Sequence, residues 1–281
     1  MISARSSREW RAGYAPQCAR LMDELGVATP EGLLRCCEDT SESSEVRVKA
    51  CYALGFLKAH KAVPALIKAA DDDNPQVSCQ AILSLSVLGS RRATRPLMRI
   101  VRHSANEEVR NMAVLCLGQL CDKRAETLVC NLLARAESEA TRSYAAQALS
   151  RLSHSEQSFQ AVLKALSDVH ALVRWTAAAA LGSIGDRRAV GPLRSALSDR
   201  EVIPTLPAEE TVAEAAKRAL DQFLRAEAGA PKGVHKRAAE TERTSGGPGD
   251  LAFGACPGFI RSLSSSCPAF FRALFGGRLK R

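Results

Sequence analysis

Residues 173–193 read VRWTAAAALGSIGDRRAVGPL, and the first twelve of them carry the pattern that decides the fold. Counted from Val173, the residues at offsets 0, 4, 7, 8 and 11 are apolar or small, which places them on one stripe of a 3.6-residue helix. The pattern recurs at intervals of 31, 32, 32, 32 and 39 residues. Its copies begin at Val46, Val77, Val109, Thr141, Val173 and Val212.

A second helix is predicted between successive copies, and proline marks its start at Pro64, Pro96 and Pro192. One such hairpin cannot bury its apolar face alone, so neighbouring hairpins must stack and share a core. The sequence therefore predicts an all-α fold, an α-solenoid of about six to seven helical hairpins. Small residues at offset 9 indicate that neighbouring backbones approach closely. They are Gly55, Ser86, Gly118, Ser150 and Gly182.

The solenoid is predicted to span residues 1–228, with a degenerate N-terminal cap over residues 1–40. In the cap, Tyr14, Cys18, Met22 and Leu25 occupy four of the same offsets. The last interval is stretched by residues 201–211, which we interpret as either a binding loop or slack between helices. Residues 229–250 have the composition of a disordered linker, and residues 251–281 form a flexible, Phe-rich basic tail.

The repeated string resembles the HEAT repeat, in the variant associated with phycobilisome lyases. The resemblance is clearest from Val173-Arg174 to Ala177, at Ala180-Leu181-Gly182 and from Ile184-Gly185-Asp186 to Pro192-Leu193, and it covers about four fifths of the chain. It implies that the Val-Arg helices line the concave side of the solenoid and the proline-led helices the convex side. It implies no single activity, because adaptors, lyases, hydroxylases and DNA-binding enzymes all use this repeat.

Arginine recurs at offset 1, where it could form a basic stripe for phosphates or acidic partners. The HEAT resemblance instead implies a structural ladder, in which each arginine bonds to acidic residues of the preceding turn. Asp72, Glu137 and Asp168 are candidates for that role. The ladder arginines are Arg47, Arg110, Arg142 and Arg174.

If the Val-Arg helices face inward, offsets 2, 3 and 6 point into the groove of the solenoid. Aromatic and methionine side chains with few charges are typical of the centre of a protein interface, although they could also merely cover alanine-rich helices. The predicted partner-binding residues are Lys49, Tyr52, Gln80, Asn111, Met112, Tyr144, Gln147, Trp175 and Thr176.

The tail holds two short amphipathic pieces flanked by arginine and lysine, a combination that suits an anionic membrane surface, a groove on another protein or the groove of this chain. A tail without a binding role is the remaining alternative. The predicted anchor residues are Phe259, Ile260, Leu263, Phe270, Phe271, Leu274 and Phe275.

Composition favours a cytoplasmic protein, attached at the periphery of a membrane if the tail binds there. The chain has ten cysteines and a net charge of +9. Cys51, Cys116 and Cys130 fall on or beside buried helix offsets, so we interpret the cysteines as core residues with free thiols. Residues 1–10 contain Arg5, Arg8 and Glu9 and no apolar run, so we expect no signal peptide, and the longest uncharged stretches are shorter than the roughly 20 apolar residues of a spanning helix. Of the net charge, residues 229–281 contribute +6, from nine Lys/Arg and three Asp/Glu, which leaves +3 for residues 1–228.

The sequence favours a non-enzymatic scaffold that binds a protein partner and needs no cofactor or metal. None of the five histidines is followed by glutamate, so the His-Glu motifs of HEAT-type deoxyhypusine hydroxylases are absent. Hydrolase and nucleotide-binding signatures are also absent. A bilin lyase or lyase chaperone is the leading enzymatic alternative, because such a protein could act by cradling its chromophore. The near balance of charge in residues 1–228 disfavours nucleic acid as a partner.

Overall fold

The computed structural model describes residues 16–152, 155–204 and 210–229, and within these ranges the chain forms thirteen α-helices and no β-strand. Seven of them form a first row and six a second row. The first-row helices are α1 (Pro16–Glu24), α3 (Ser44–Phe56), α5 (Pro75–Leu88), α7 (Glu107–Leu120), α9 (Glu139–Leu152), α11 (Ala171–Ile184) and α13 (Val212–Gly229). The second-row helices are α2 (Pro30–Glu38), α4 (Val63–Ala69), α6 (Thr94–His103), α8 (Glu126–Arg135), α10 (Glu156–Ala165) and α12 (Val190–Ala196).

Six stacked hairpins and a closing helix confirm the predicted α-solenoid. Three first-row helices, α3, α5 and α7, begin at polar caps, since the side chains of Ser43, Asn74 and Asn106 each accept a hydrogen bond from a backbone N–H of the first turn. Helices α5 and α11 end at Gly89 and Gly185, whose φ angles of 62° and 74° are left-handed, a conformation that glycine adopts readily.

The second-row helices begin close to the predicted prolines. Pro64 is the second residue of α4, while Pro96 and Pro192 are the third residues of α6 and α12. A short 3₁₀ turn, which the sequence analysis did not predict, precedes four of the six second-row helices. In three of these turns, 91–93, 123–125 and 187–189, an arginine or lysine pair precedes a buried alanine, so each turn presents two basic side chains to solvent.

One continuous apolar core runs through the stack, from Met22 in α1 to Phe223 in α13. Leu54, Leu85, Leu117, Leu149 and Leu181 all occupy offset 8 and are at most 1% exposed. Each hairpin therefore buries its apolar stripe against the next one, and the predicted cap is part of the same core through Met22 and Leu33.

The first-row helices approach one another as closely as the glycines at offset 9 predict. A Cβ atom added to Gly55 would lie 2.7 Å from Ser84 Cβ, and one added to Gly118 would lie 2.7 Å from Ala148 Cα. At Gly182 the corresponding distance, to Ala219 Cβ, is 2.8 Å. Because these backbones come within contact distance, we infer that the first row lies on the shorter, concave side of the stack.

The stretched interval before α13 is anchored at its base. Val202 and Thr211 form an antiparallel bridge, and Ile203 N–H donates to Glu210 O at 2.9 Å. Ile203 is 2% exposed and packs with Ala171 and Val212 in a second, small apolar cluster. The base of this segment is therefore ordered against α11 and α13, which argues against slack; residues 205–209 lie outside the described residues.

The seven cysteines between residues 36 and 130 are thiols that form no disulfide within the described part of the chain. Cys51, Cys116 and Cys130 are buried, in agreement with their interpretation as core residues. Complete burial raises the pKa of the Cys116 thiol to about 12, so this thiol stays protonated at neutral pH. Within the described part of the chain, the helices are too short or too polar to cross a bilayer.

Candidate functional site

The arginine at offset 1 joins two successive inter-hairpin loops, as Arg142 shows most completely. Its Nη1 donates to the carbonyl oxygens of Ala136 and Glu137 at 2.8 and 2.9 Å. Its Nε and Nη2 donate to the two carboxylate oxygens of Asp168, also at 2.8 and 2.9 Å. The guanidinium thus joins two carbonyl groups of the loop before α9 to a carboxylate of the loop between α10 and α11.

The other ladder arginines follow this arrangement to different extents. Arg47 pairs with Asp72, and Arg174 pairs with Asp199 and Glu201 at 2.7 Å each. Arg110 donates only to the carbonyls of loop residues 104 and 105, because residue 136, at the position of Asp168, is alanine.

The acidic partners follow the arginines in the chain, whereas the HEAT resemblance implies that they precede them. Asp72 and Asp168 come from the loop after the arginine with which they pair, and Glu137 contributes its carbonyl instead of its carboxylate. The reason is geometric, since the chain has completed one hairpin before it returns beside the arginine. Sequence separations of 25 and 26 residues identify these pairs.

Four of the nine predicted partner-binding residues do not face solvent, and this part of the prediction is wrong. Gln80, Asn111, Met112 and Thr176 are between 3% and 8% exposed. Asn111 accepts a hydrogen bond from Thr141 at 2.8 Å, and the hydroxyl groups of Thr176 and Ser143 are 2.7 Å apart. Asn111 and Thr176 thus connect neighbouring first-row helices, and all four side chains are too buried to contact a partner.

The close approach of the first-row helices is the physical reason. A side chain at offset 2 or 3 that points sideways from one helix meets the next helix before it reaches solvent. Gln80 illustrates the effect, because it donates to Ser84, whose hydroxyl group in turn donates to the Cys51 carbonyl of the preceding first-row helix.

Trp175 is half-buried and holds the stretched segment in place. Its indole N–H donates to Glu210 Oε2 at 3.1 Å, and the Arg218 guanidinium lies 5.7 Å from its ring centroid. Trp175 also packs against the small cluster that contains Ile203. Its contacts assign it to the junction of α11, α13 and this segment, so much of its surface is already covered within the chain.

The remaining four predicted residues are half-buried. Lys49 forms ion pairs with Glu45 and Glu24, at 2.9 and 3.2 Å, and these partners raise the pKa of its ammonium group. Tyr52 lies on α3, as does Lys49, whereas Tyr144 and Gln147 lie on α9, with α5 and α7 in between. The predicted surface is therefore divided into two parts.

A compact apolar patch on α3 and α5 was missed by the sequence analysis. Tyr52 and Phe56 are one turn apart on α3, with ring centroids 6.1 Å apart. Leu83 and Val87 take the same two offsets, 6 and 10, on α5. Phe56 is 41% and Val87 40% exposed, and both are large apolar side chains on the surface. We call Tyr52, Phe56, Leu83 and Val87 the apolar patch.

The signal for this patch was present in the sequence. Offset 10 follows the small residue at offset 9 and is polar in the later copies, where Gln119, Arg151 and Ser183 occupy it. Only the first two copies place an apolar residue at both offsets 6 and 10. An apolar pair four residues apart on the otherwise exposed face of two adjacent helices is the pattern that identifies this surface.

The structure describes no further chemical site among the candidates. Within residues 16–152, 155–204 and 210–229, no three His, Cys, Asp or Glu side chains are grouped so that they could hold a metal ion. Tyr14, the predicted linker and the tail anchors lie outside the described residues. The tail anchors are Phe259, Ile260, Leu263, Phe270, Phe271, Leu274 and Phe275.

Stacked helical hairpins with a shared core and a repeated arginine ladder define an α-solenoid repeat protein. A model of HEAT repeats matches the chain three times, over residues 30–118, 94–168 and 125–205. These matches together cover more than half of the sequence, and the chain belongs to the HEAT-repeat family.

Several known proteins are similar to this chain. Over 95 residues it is 34% identical to the bilin biosynthesis protein PecE of Nostoc sp. strain PCC 7120. That alignment spans 34% of this chain and about a third, 33%, of the relative. The structure of the complex of CpcE and CpcF of phycocyanin lyase from Nostoc sp. PCC7120 is similar, with 19% sequence identity and a TM-score of 0.41. The match covers 71% of this chain and 92% of that chain. A designed armadillo repeat protein in complex with the peptide (KR)4 matches with 18% identity, 69% and 98% coverage and a TM-score of 0.47.

Proposed function

We propose that this HEAT solenoid is a non-enzymatic scaffold that binds a partner protein through the apolar patch on its concave side. The observation that carries the proposal is the adjacent exposure of Phe56 and Val87, supported by the rings of Tyr52 and Phe56 in contact. Apolar and aromatic groups that stay exposed on a rigid helical surface are typical of the centre of protein interfaces.

The patch is suited to recognition because its backbone is held rigidly. Gly55, which precedes Phe56 on α3, contacts Ser84 on α5. This contact joins the two helices that carry the apolar patch. Both helices also belong to the continuous core. A partner that inserts an apolar side chain between Tyr52 and Val87 would therefore cause little loss of conformational entropy in the scaffold.

The proposal predicts that Phe56→Ala together with Val87→Ala removes a specific set of proteins from those captured by the full-length chain. Loss of buried apolar surface at an interface centre weakens binding by about 2 kcal/mol or more. The measurement is quantitative mass spectrometry of proteins captured on the immobilised wild-type and variant chains from an extract of the source cells.

The matched control is Val169→Ala with Leu224→Ala, because these apolar side chains are 82% and 62% exposed on other parts of the solenoid. The control is expected to capture the same proteins as the wild type. Equal losses in the two variants, or no loss in either, would reject the apolar patch as the binding surface.

We also propose that the solenoid ends at residue 228, that residues 229–250 are a linker and that residues 251–281 are a tail. The tail would be a second attachment, to a membrane surface or to another protein. Its support is the sequence, in which five of the eight phenylalanines lie within residues 251–281. Deletion of residues 251–281 from the immobilised chain provides a further arm of the capture experiment. Proteins or lipids that depend on the tail disappear in that arm while those held by the apolar patch remain.

Binding or transfer of a bilin is the second candidate function, favoured by the 34% identity to PecE over 95 residues. In that case the chain binds or transfers a bilin, and the purified protein incubated with a free bilin acquires a visible absorption band that survives gel filtration. Absence of a retained band, together with capture of proteins by the apolar patch, favours the scaffold. A retained band that the Phe56→Ala and Val87→Ala changes abolish favours the bilin-binding alternative.

A further inference from the structure

The densest positive charge in the described residues lies on the second row of helices. Residues 91–103, which form a 3₁₀ turn and α6, read RRATRPLMRIVRH and contain five arginines and no acidic residue. The buried face of α6 consists of Thr94, Leu97, Ile100 and Val101. Arginines at 95, 99 and 102 repeat at helical spacing on the opposite, exposed face.

Neighbouring second-row helices extend this charge. Helix α4 and its turn present Lys61 and Lys68, and helix α8 and its turn present Lys123 and Arg135, all exposed. In α4, α6 and α8 the only carboxylate side chain is Glu126, which accepts a hydrogen bond from Ser158 at 2.7 Å. We call these residues the basic patch: Lys61, Lys68, Arg92, Arg95, Arg99, Arg102, Lys123 and Arg135.

The small net charge of residues 1–228 conceals the basic patch because the acidic residues are concentrated elsewhere. Residues 38–45 contain four Asp or Glu residues and residues 71–73 are three aspartates. Residues 39–43 and 71–73 are loops between hairpins, with Glu38 and Glu45 at the helix ends beside the first loop, whereas the basic pairs lie in turns within hairpins. The ion pair of Arg99 with Asp71, at 2.7 Å, marks the place where the basic patch meets the acidic loops.

We propose that the basic patch binds a short acidic segment of a partner protein. Ten residues separate Arg92 from Arg102, and a rise of about 1.5 Å per residue makes the arginine row roughly 15 Å long. An extended peptide advances about 3.3 Å per residue, so about five residues cover the row. Guanidinium groups bind carboxylates through paired hydrogen bonds, which suits a run of Asp and Glu.

The surroundings of the basic patch disfavour the other polyanions. Asp71 lies beside the arginine row, where it pairs with Arg99, so a nucleic-acid duplex, which is wider than the row, would bring its phosphates close to the aspartates of residues 71–73, where like charges repel. A bilayer gains binding energy from apolar groups, and the side chain of Met98, the apolar residue nearest the arginines on this face, is half-buried. A short acidic segment is the ligand whose length matches the arginine row.

The basic patch and the apolar patch lie on different rows of helices, so the two proposals are tested independently. The probe is a fluorescein-labelled hexaglutamate peptide, and the measurement is fluorescence anisotropy with the full-length chain. Arg92→Gln, Arg95→Gln and Arg102→Gln are combined in one variant, with Arg99 retained because it pairs with Asp71. We expect a Kd about tenfold weaker than that of the wild type, and a wild-type affinity that falls as salt is added.

The matched control combines Lys164→Gln, Arg194→Gln and Arg200→Gln, three exposed side chains at the other end of the solenoid. It loses the same charge and keeps the same basic tail, and its Kd should stay within about twofold of the wild type. Equal weakening in the two variants would show that net charge alone is responsible and would overturn the proposal. Tighter patch-dependent binding of a short DNA duplex or of phosphatidylserine vesicles than of hexaglutamate would overturn it as well.

Discussion

Replacement of Gly118 by valine is expected to lower the free energy of unfolding by about 3 kcal/mol. A Cβ atom at this position would lie 2.7 Å from the Cα and 3.0 Å from the carbonyl oxygen of Ala148, both backbone atoms that cannot rotate away. The helices α7 and α9 must separate to accept the side chain, and overpacking of this kind costs about 1–3 kcal/mol or more. Chemical denaturation followed by circular dichroism measures the change.

Gly191→Val is the matched control, because Gly191 is also helical and a Cβ atom there meets nothing within 4 Å. Its effect on unfolding should stay within about 0.5 kcal/mol. The difference between the two variants therefore isolates the contact between helices from the intrinsic helix propensity of valine. If Gly118→Val were as stable as the wild type, the close packing of the first row would be refuted.

Arg142→Met is expected to destabilise the fold by a similar amount, about 3 kcal/mol. The variant leaves the Asp168 carboxylate, which is largely buried, without its two hydrogen bonds from the guanidinium. It also leaves the carbonyls of Ala136 and Glu137 without their donor. Removal of one partner of a buried ion pair typically costs about 3–5 kcal/mol.

Arg110→Met provides the comparison, since Arg110 donates to two loop carbonyls but has no carboxylate partner at position 136. Its cost is expected to be near 1 kcal/mol, the value of ordinary hydrogen bonds. Equal destabilisation by the two variants would show that the carboxylate contributes little. In that case the ladder would act through the loop carbonyls alone.

The pH dependence of stability tests the same ion pair by a different route. Partial burial is the largest single effect on Asp168 and raises its pKa, but the hydrogen bonds from Arg142 and from the His170 backbone N–H, together with the charge of Arg142, outweigh it and hold the pKa below its ordinary value. A carboxyl group with a lowered pKa stabilises the fold above its unfolded pKa, about 3.9, and loses that contribution as the pH falls through the folded pKa. The difference in stability between the wild type and Arg142→Met should therefore narrow below about pH 4.

The repeat pattern was sufficient to predict the fold because each hairpin has the same requirement for burial. Apolar residues at offsets 4, 7, 8 and 11 fix which face of each helix is covered, and the glycines at offset 9 fix how closely the next helix packs. Gly55, Gly118 and Gly182 confirm that relation in three separate contacts.

The candidate site was harder to predict because exposure depends on the distance between helices as well as on helical phase. Gln80, Asn111 and Thr176 occupy offsets that would face solvent on an isolated helix, yet the neighbouring helix covers them. Phe56 and Val87 occupy an offset that the apolar stripe does not include, so the pattern that revealed the core gave no weight to them. Their exposure became evident only when the helices were placed side by side.

The net charge likewise could not predict where the charged side chains lie on the surface. Lys and Arg nearly balance Asp and Glu over residues 1–228, and that sum disfavours any strongly charged surface. The turns and loops of a hairpin stack lie on opposite edges, however, so a difference in their composition becomes a difference in position. The basic pairs of the turns and the acidic residues of the loops therefore collect at different ends of the hairpins, and the two kinds of charge meet where Arg99 of α6 pairs with Asp71.

The central claim is that this HEAT solenoid acts by binding a protein against Phe56 and its neighbours. The most direct test replaces Phe56 with a photo-crosslinking phenylalanine analogue in the full-length chain inside the source cells, with the same replacement at Val169 as the reference. Irradiation is predicted to join the position 56 variant to a second protein and to leave the position 169 variant unjoined. No product at position 56, or the same products at both positions, would contradict the account.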